Sequence, residues 1–258
     1  MAYRGAAIGT ENIVITFQRA SKAAIKWASF SMLKVREAVG AKARYDCPAC
    51  EKSVVGFFRY GANPSWGCPA CGASPRQRLV AYLLDNKGLT VPPGGSVLHI
   101  APNEAGLVRR FQASASDYVP ADLHPEIYAI DSVISLDLMR FEEDRRYDVI
   151  YASHVMEHVD DDARVLSNIY SALKKGGEAW LIVPLWDRPT VDGHRGMSQR
   201  EREKRFGQWD HIRQYGPDFA DRIRKAGFDL EVVSAQDFSP AEQARHALDD
   251  VIFRARRP

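Results

Sequence analysis

Four cysteines stand in two identical steps, Cys47-Pro48-Ala49-Cys50 and Cys68-Pro69-Ala70-Cys71, seventeen residues apart. Each C-x-x-C turn delivers two thiolates from one tight loop, and Zn²⁺ takes four such soft ligands in a tetrahedron. Disulfides would need an oxidising compartment and a redox motif needs a single pair, so the spacing predicts a structural zinc on Cys47, Cys50, Cys68 and Cys71. Four thiolates close the coordination sphere, which makes this ion a scaffold and not an activator of water. Arg59, Tyr60, Trp66, Arg76 and Arg78 flank the cysteines with the basic and aromatic mixture that can grip nucleic acid. An ordinary domain interface is the commoner use of such residues.

A second concentration of chemistry is His154-Val155-Met156-Glu157-His158, which spells H-x-x-E-H, an inverted zinc-protease motif. On a helix these positions would share a face. Here His154 directly follows an apolar strand, so the motif straddles a strand end and protease chemistry is disfavoured. A divalent ion on His154, Glu157 and His158 is one alternative, and a structural role for Glu157 and His158 is the leading one. Further along, Gln208-Trp209-Asp210-His211-Ile212-Arg213-Gln214-Tyr215 places a second histidine and an arginine in a polar, aromatic segment. Arg213 could clamp a carboxylate or phosphate.

The elements that must position these groups are legible in the spacing. Apolar residues recur at helical intervals over residues 21–39 with basic residues between them, which predicts an amphipathic helix. That helix packs on its own chain or on a second copy, or else meets an acidic partner or membrane surface. Residues 45–75 are short, rich in Gly, Pro and Cys, and contain the alternating piece 53–60, as a zinc ribbon requires. Pro75 suits the first turn of a helix that ends near Gly88. Short apolar strands are then predicted at 96–100, 117–121, 147–152 and 178–183, alternating with helices at 104–111, 161–173 and 217–226. Lys174-Lys175-Gly176-Gly177 reads as a helix C-terminus. Strands at 229–234 and 250–255 are predicted to form an antiparallel edge. The whole is an α/β chain with a doubly wound, mostly parallel sheet, divided into a helical segment (1–44), the ribbon (45–75) and a large domain (76–258).

In open α/β sheets ligands bind beyond the C-terminal strand ends near the switch point. The first such end is Val97-Leu98-His99-Ile100-Ala101-Pro102-Asn103-Glu104-Ala105-Gly106, and the second carries Asp122 and Leu123 about twenty residues on, where a carboxylate can accept ribose hydroxyl hydrogens. The third region, Ser135-Leu136-Asp137-Leu138 followed by residues 147–159 and the Gly-Gly turn, resembles the core of small-molecule S-adenosylmethionine-dependent methyltransferases. The resemblance runs over residues 96–228. The ribbon, the His99-Ile100-Ala101-Pro102 loop and Asp210-His211-Ile212-Arg213-Gln214-Tyr215-Gly216 are similar to a subgroup that carries an N-terminal four-cysteine ribbon. It implies a Rossmann-like methyltransferase fold with S-adenosylmethionine as cofactor. His99, Ala101, Pro102, Asn103, Glu104 and Gly106 would line its amino-acid end, Asp122 and Leu123 its ribose, Asp137 and Leu138 its adenine, and Ser153 the active-site floor. The first loop departs from the family by replacing central glycines with Ala-Pro-Asn-Glu.

Methyl transfer is an in-line displacement, so such an enzyme positions a nucleophile and, for a hydroxyl, removes its proton. Histidine suits that task near neutral pH. His154 and His211 are the candidate bases, with Arg213 and Tyr215 on the substrate. Residues 186–208 are long and arginine-rich, as a lid or a solvated face would be.

The 258 residues carry 35 basic and 33 acidic side chains, a net charge of +2, so a nucleic-acid partner would need a local patch. With 45% apolar and 26% charged residues the chain reads as globular, not disordered or fibrous. No run is apolar enough to span a membrane and no signal peptide is evident, so the cytoplasm is the expected compartment. The leading expectation is methylation of a small-molecule or sugar-like acceptor at O or N. The alternatives are an RNA methyltransferase gripping nucleic acid with its ribbon, or an S-adenosylmethionine-binding protein that does not methylate. Against base amino methylation, the fourth strand end reads Ser-His-Val and lacks an Asn/Asp-Pro-Pro-Tyr/Phe signature.

Overall fold

The computed structural model describes residues 10–86, 88–128 and 132–258, with side chains described from residue 21 onward. Residues 1–9 of the expected helical segment lie outside the described residues. The first elements are helix α1 (Thr10–Ala38), strands β1 (Tyr45–Cys47), β2 (Lys52–Val54), β3 (Phe58–Tyr60) and β4 (Asn63–Gly67), and helix α2 (Pro75–Asn86). Next come β5 (Ser96–Ile100), α3 (Ala105–Ser114), β6 (Asp117–Asp122), β7 (Ile134–Ser135), β8 (Tyr147–Ser153), α4 (Asp162–Ala172) and β9 (Leu173–Ile182). The remainder is β10 (Val191–Asp192), α5 (Gln199–Phe206), β11 (Arg213–Gln214), α6 (Phe219–Lys225), β12 (Asp229–Ser234), α7 (Pro240–His246) and β13 (Val251–Arg256). No helix among the described residues is long and apolar enough to cross a membrane.

The chain divides into two compact units, residues 1–82 with 238–249, and residues 83–237 with 250–258. In the first, β1 pairs with β2 and β3 with β4, both antiparallel, which is the two-hairpin frame of a ribbon. One apolar cluster in it is Leu33, Val55 and Phe58, with Phe30 and Trp66 packed against it. Helix α1 gives Leu33 to that core and leaves Trp27, Met32 and Val35 exposed.

The least expected member of this unit is Arg78. Expected on a basic surface, it is fully buried. Its guanidinium donates to the carbonyls of Ser65, Trp66, Ala73, His246 and Ala247 at 2.7–3.2 Å and stacks 4.2 Å from the Phe57 ring. Burial lowers its pKa to about 10, while the field of Cys47, Cys68 and Cys71 pulls the other way. A buried cation beside thiolates offsets their negative charge, so Arg78 belongs to the interior of the ribbon unit. Arg78→Met strands those carbonyls and is expected to destabilise the unit by about 2–4 kcal/mol, read as a lower urea midpoint.

The second unit is built on a seven-stranded sheet of order β12-β13-β9-β8-β5-β6-β7. Strands β5 to β9 are parallel, while β13 runs antiparallel to both β9 and β12. The central strands are buried along their length because both faces are covered, and Leu98, Ile100, Ile150, Ala152, Leu181, Val165, Leu166 and Ile169 share one core. This is a doubly wound, Rossmann-like α/β fold. The predicted strands and helices fall within a few residues of those observed, with one correction. Lys174 to Gly177 do not end a helix: α4 stops at Ala172, and these residues open β9 opposite a register shift between Tyr147 and Val149. A Cβ on Gly177 would meet the backbone oxygens of Asp148 and Tyr147 at 3.1 Å, so that glycine serves close strand packing.

Candidate active site

The chain lays β5, β6 and β7 on one side of the switch point and β8 and β9 on the other, so their C-terminal ends share one edge. Register pairs Ile100 with both Ala121 and Ala152, Asp122 with Ser135, and Ser153 with Ile182. The first-loop residues, Asp122, Ser153 and His154 therefore gather where an α/β sheet binds ligands.

The glycine-poor first loop still makes a tight turn. Ala101 adopts φ +52°, the left-handed conformation usually left to glycine, at a cost of about 1–2 kcal/mol. Its N–H donates to Ala121 O at 2.9 Å, and the Asn103 N–H donates to Ala101 O at 2.7 Å. His99 holds the turn from below. It is fully buried, with Nδ1 2.9 Å from the Tyr118 hydroxyl and Nε2 3.3 Å from Glu104 Oε2. Pro102 and Glu104 are also buried, and Asn103 is exposed. Gly106 sits in the first turn of α3. His99 thus supports the loop and does not reach solvent.

Asp122 caps the end of β6. Its Oδ1 accepts the His124 N–H at 2.7 Å and its Oδ2 the Tyr128 hydroxyl at 2.8 Å. Burial, with Asp122 next, raises the Tyr128 pKa, which keeps that phenol a donor. Leu123 is exposed. Asp137 Oδ1 accepts the Met139 N–H at 2.9 Å. Leu138 differs from its expected role, because its side chain is 5% exposed and belongs to the core.

At the end of β8 the chain turns sharply. His154 takes φ +56° while its N–H donates to Ile182 O at 2.9 Å. A 3-10 turn over Met156–His158 follows, with Glu157 fully buried. A backbone bond from Ile212 N to Glu157 O, 3.0 Å, draws the distant histidine segment onto this turn. His154 Nδ1 is 3.3 Å and His211 Nε2 is 3.9 Å from Glu157 Oε1, and the His158 and His211 rings meet edge to face at 4.8 Å. Neither Glu157 oxygen has a hydrogen-bond partner, and Ser153 Oγ and His211 Nδ1 are likewise buried and unpartnered. Burial pushes the His211 imidazole below its usual pKa, against the pull of Glu157. His154 is the more open of the two, with 30% of its side chain exposed.

Arg213 and Tyr215 depart from the substrate role the sequence suggested. Arg213 is 4% exposed and donates to the carbonyls of Met156, Val159 and Asp160 and to Asp192. The Tyr215 hydroxyl is fully buried, donating to Asp162 Oδ2 at 3.0 Å with Met156 O at 3.2 Å. Both fasten the turn that carries Glu157 and His158, and their burial and internal bonds place them behind it. The arginine-rich segment 186–208 is also more ordered than a lid loop. It contains β10, paired with β11, and α5, which starts in a Ser198–Glu201 capping box, and Arg195 binds Asp160 at 2.6 Å. Sequence reasoning gave Glu157 a structural role. Its signal was an acidic residue inside an otherwise apolar strand-end turn flanked by histidines.

In the ribbon, Cys47 and Cys71 have their sulfurs 3.8 Å apart, and Cys50 and Cys68 3.9 Å apart. No disulfide joins the four cysteines, and their sulfurs lie within 4.8 Å of one another. Ligands at about 2.3 Å from a tetrahedral ion would stand about 3.8 Å apart. Of the basic-aromatic group around them, Arg59 and Tyr60 are exposed and Trp66 and Arg76 half-buried. Arg78 is internal, Trp66 packs at 5.8 Å on Phe58 and 5.0 Å on Tyr60, and Arg59 bonds Gly61 O.

A doubly wound sheet with an acidic residue at its second strand end is a common frame for nucleotide-containing ligands. The profile of the family described as "Methyltransferase domain" matches residues 73–234, and the chain belongs to that family. It is an S-adenosylmethionine-dependent methyltransferase. Solved structures similar to it include an S-adenosylmethionine-dependent methyltransferase from Mesorhizobium loti, at 16% identity, covering 64% of this chain and 92% of that one, with a TM-score of 0.48. Another is Haemonchus contortus phosphoethanolamine N-methyltransferase 2, at 19%, 69% and 52%, with a TM-score of 0.46. A third is Burkholderia thailandensis 1,6-didemethyltoxoflavin-N1-methyltransferase, at 16%, 64% and 72%, with a TM-score of 0.43. No curated protein matches the chain.

Proposed function

We propose that this enzyme methylates an oxygen or nitrogen of a small-molecule or sugar-like acceptor held at the end of β8, with a structural Zn²⁺ in its ribbon. The observation that carries the reading is His154. Its left-handed backbone turns the imidazole to a partly open position, and its Nδ1 faces the buried Glu157 carboxylate. A histidine backed by a carboxylate is the usual arrangement of a general base with its orienting group.

The cofactor supplies a methyl group on a sulfonium, already activated for displacement. The chain's own residues do the rest. Asp122 has one acceptor bond filled on each oxygen, and a carboxylate offers about four lone-pair sites, so both oxygens can still receive ribose hydroxyls. The Ala101–Glu104 backbone, kept tight by His99 and Glu104, lets the amino-acid end approach. Asp137 flanks the adenine position, and Ser153 Oγ, buried without a partner, faces the reacting end. His154 then takes the acceptor proton, Glu157 stabilises the resulting imidazolium, and His211 borders the acceptor. Orientation of acceptor and methyl group provides most of the rate.

In this reading residues 45–75 are scaffold, 76–258 carry the catalytic domain, and 1–44 form a helical segment. Trp27, Met32 and Val35 of α1 suit contact with a second copy of the chain, and reduced thiols suit the cytoplasm. The assignment is tested by incubating the enzyme with methyl-labelled cofactor and panels of hydroxyl and amine acceptors; transfer to none of them counts against it. Asp122→Ala removes two charge-assisted hydrogen bonds and is expected to weaken S-adenosylhomocysteine binding about 10- to 100-fold by calorimetry, with zinc content unaltered. Unchanged affinity would refute the ribose assignment.

A further inference from the structure

We infer that Glu157, His158 and His211 form a second metal centre, which takes a divalent transition cation and leaves coordination positions open. Each residue offers a ligand atom, and these atoms lie within 4.8 Å of one another. Nitrogen and oxygen ligands at about 2.0–2.2 Å from a tetrahedral ion stand roughly 3.4 Å apart, so small side-chain rotations close the set. The His211 Nε2 to Glu157 Oε1 distance is already 3.9 Å.

A second observation is independent of that convergence. Glu157 is 0% exposed, and neither of its oxygens receives a hydrogen bond. Burying an ionised carboxylate without donors costs several kcal/mol, and native proteins normally avoid it by pairing the charge or coordinating a metal. Arg213, which donates into this turn from β11, is committed to Asp192 and to the carbonyls of Met156, Val159 and Asp160. What faces the carboxylate is imidazole on each side: His154 at 3.3 Å and His211 at 3.9 Å. A cation between Glu157 and the two ligating imidazoles satisfies the carboxylate and both rings at once.

The surroundings match how ligating histidines are held. His158 Nδ1 lies 3.3 Å from Asp210 O and 3.6 Å from Asp210 Oδ2, and ligating imidazoles commonly donate their other N–H to such acceptors. Asp210 Oδ1 is itself buried and unpartnered. Two imidazoles and one carboxylate are a borderline donor set that favours Zn²⁺, Fe²⁺, Co²⁺ or Ni²⁺ over Mg²⁺ or Ca²⁺. Three protein ligands leave room for water or a ligand heteroatom, in contrast to the closed four-cysteine site. The structure also replaces a ligand in the H-x-x-E-H reading. His211, recruited from 53 residues beyond His158, takes the place of His154, which stays on the open flank with Nδ1 3.3 Å from the same carboxylate. Any use of this ion to acidify an acceptor rests on the proposed methyl transfer; its binding does not.

The test uses the full chain and metal ions alone. Purified protein is equilibrated with Zn²⁺ or Co²⁺, desalted and assayed for metal content, beside Glu157→Gln and His211→Ala. The wild type is expected to hold two ions per chain and each variant one. In the Co²⁺ form the remaining ion keeps the thiolate charge-transfer band of the ribbon, while weaker d–d absorption from the second centre is lost. Glu157→Gln keeps the shape and removes a buried charge, so it is expected to fold. As a second readout, added Zn²⁺ raises the melting temperature of the wild type and leaves that of Glu157→Gln unmoved. One ion per wild-type chain overturns the inference, as does a second ion that persists in both variants. Methyl transfer plays no part in these readouts, so failure of this centre and failure of the acceptor reading are distinguishable.

Discussion

If the four cysteines hold the proposed zinc, Cys68→Ser is expected to release it and unfold the unit built on it. A serine hydroxyl does not ionise at neutral pH and makes a poor zinc ligand, so the tetrahedron loses one corner and most of its affinity. Structural zinc contributes on the order of 10–16 kcal/mol to small metal domains at neutral pH. The hairpin strands are only three to five residues long, and the apolar cluster that α1 shares with them, Leu33, Val55 and Phe58, is small. Arg78 adds to the effect, because its buried guanidinium relies on nearby thiolate charge and would then stand uncompensated. Metal analysis should show the loss of one zinc, and limited proteolysis should cut first within residues 45–75. A Cys68→Ser protein as resistant to protease as the wild type would remove zinc from the account.

His154→Asn is expected to lower kcat by about 10²- to 10⁴-fold, the usual contribution of a positioned general base. Asparagine is the fairer replacement, since it tolerates the left-handed backbone that His154 adopts at φ +56° and an alanine would strain. The variant therefore removes the imidazole without moving the end of β8. S-adenosylhomocysteine affinity, assigned in the proposal to Asp122 and the first loop, should stay within about twofold, so the loss falls on kcat. A kcat within about threefold of the wild type would transfer the proton-accepting role elsewhere, with His211 next in line.

Much of this was written in the sequence where short-range rules apply. Val/Ile/Leu runs such as Val97-Leu98 and Val149-Ile150 gave the parallel strands, because burial on both faces demands continuous apolar residues. The two C-x-x-C steps gave the ribbon, because chelate geometry is local. What the sequence hid depends on contacts made over long separations. Arg78 and Arg213 read as surface or substrate cations, since arginine is seldom fully buried. Their burial follows from carbonyls that only the fold collects: Ser65, Trp66 and His246 for the one, Met156, Val159 and Asp160 for the other. Likewise, Glu157 and His211 are 54 residues apart, and the bond from Ile212 N to Glu157 O that joins their segments has no signature in either one. Ala101 teaches the reverse lesson. A loop that looked wrong for lack of glycine keeps its turn by forcing an alanine into the left-handed region.

The central claim is that the end of β8, between Asp122 and the His154–Glu157 turn, is where methyl transfer occurs. A crystal structure with bound S-adenosylhomocysteine tests it most directly. The predicted result places the ribose hydroxyls on Asp122 and the sulfur beside Ser153 and His154. A ribose held away from Asp122, or a sulfur remote from His154, would contradict it.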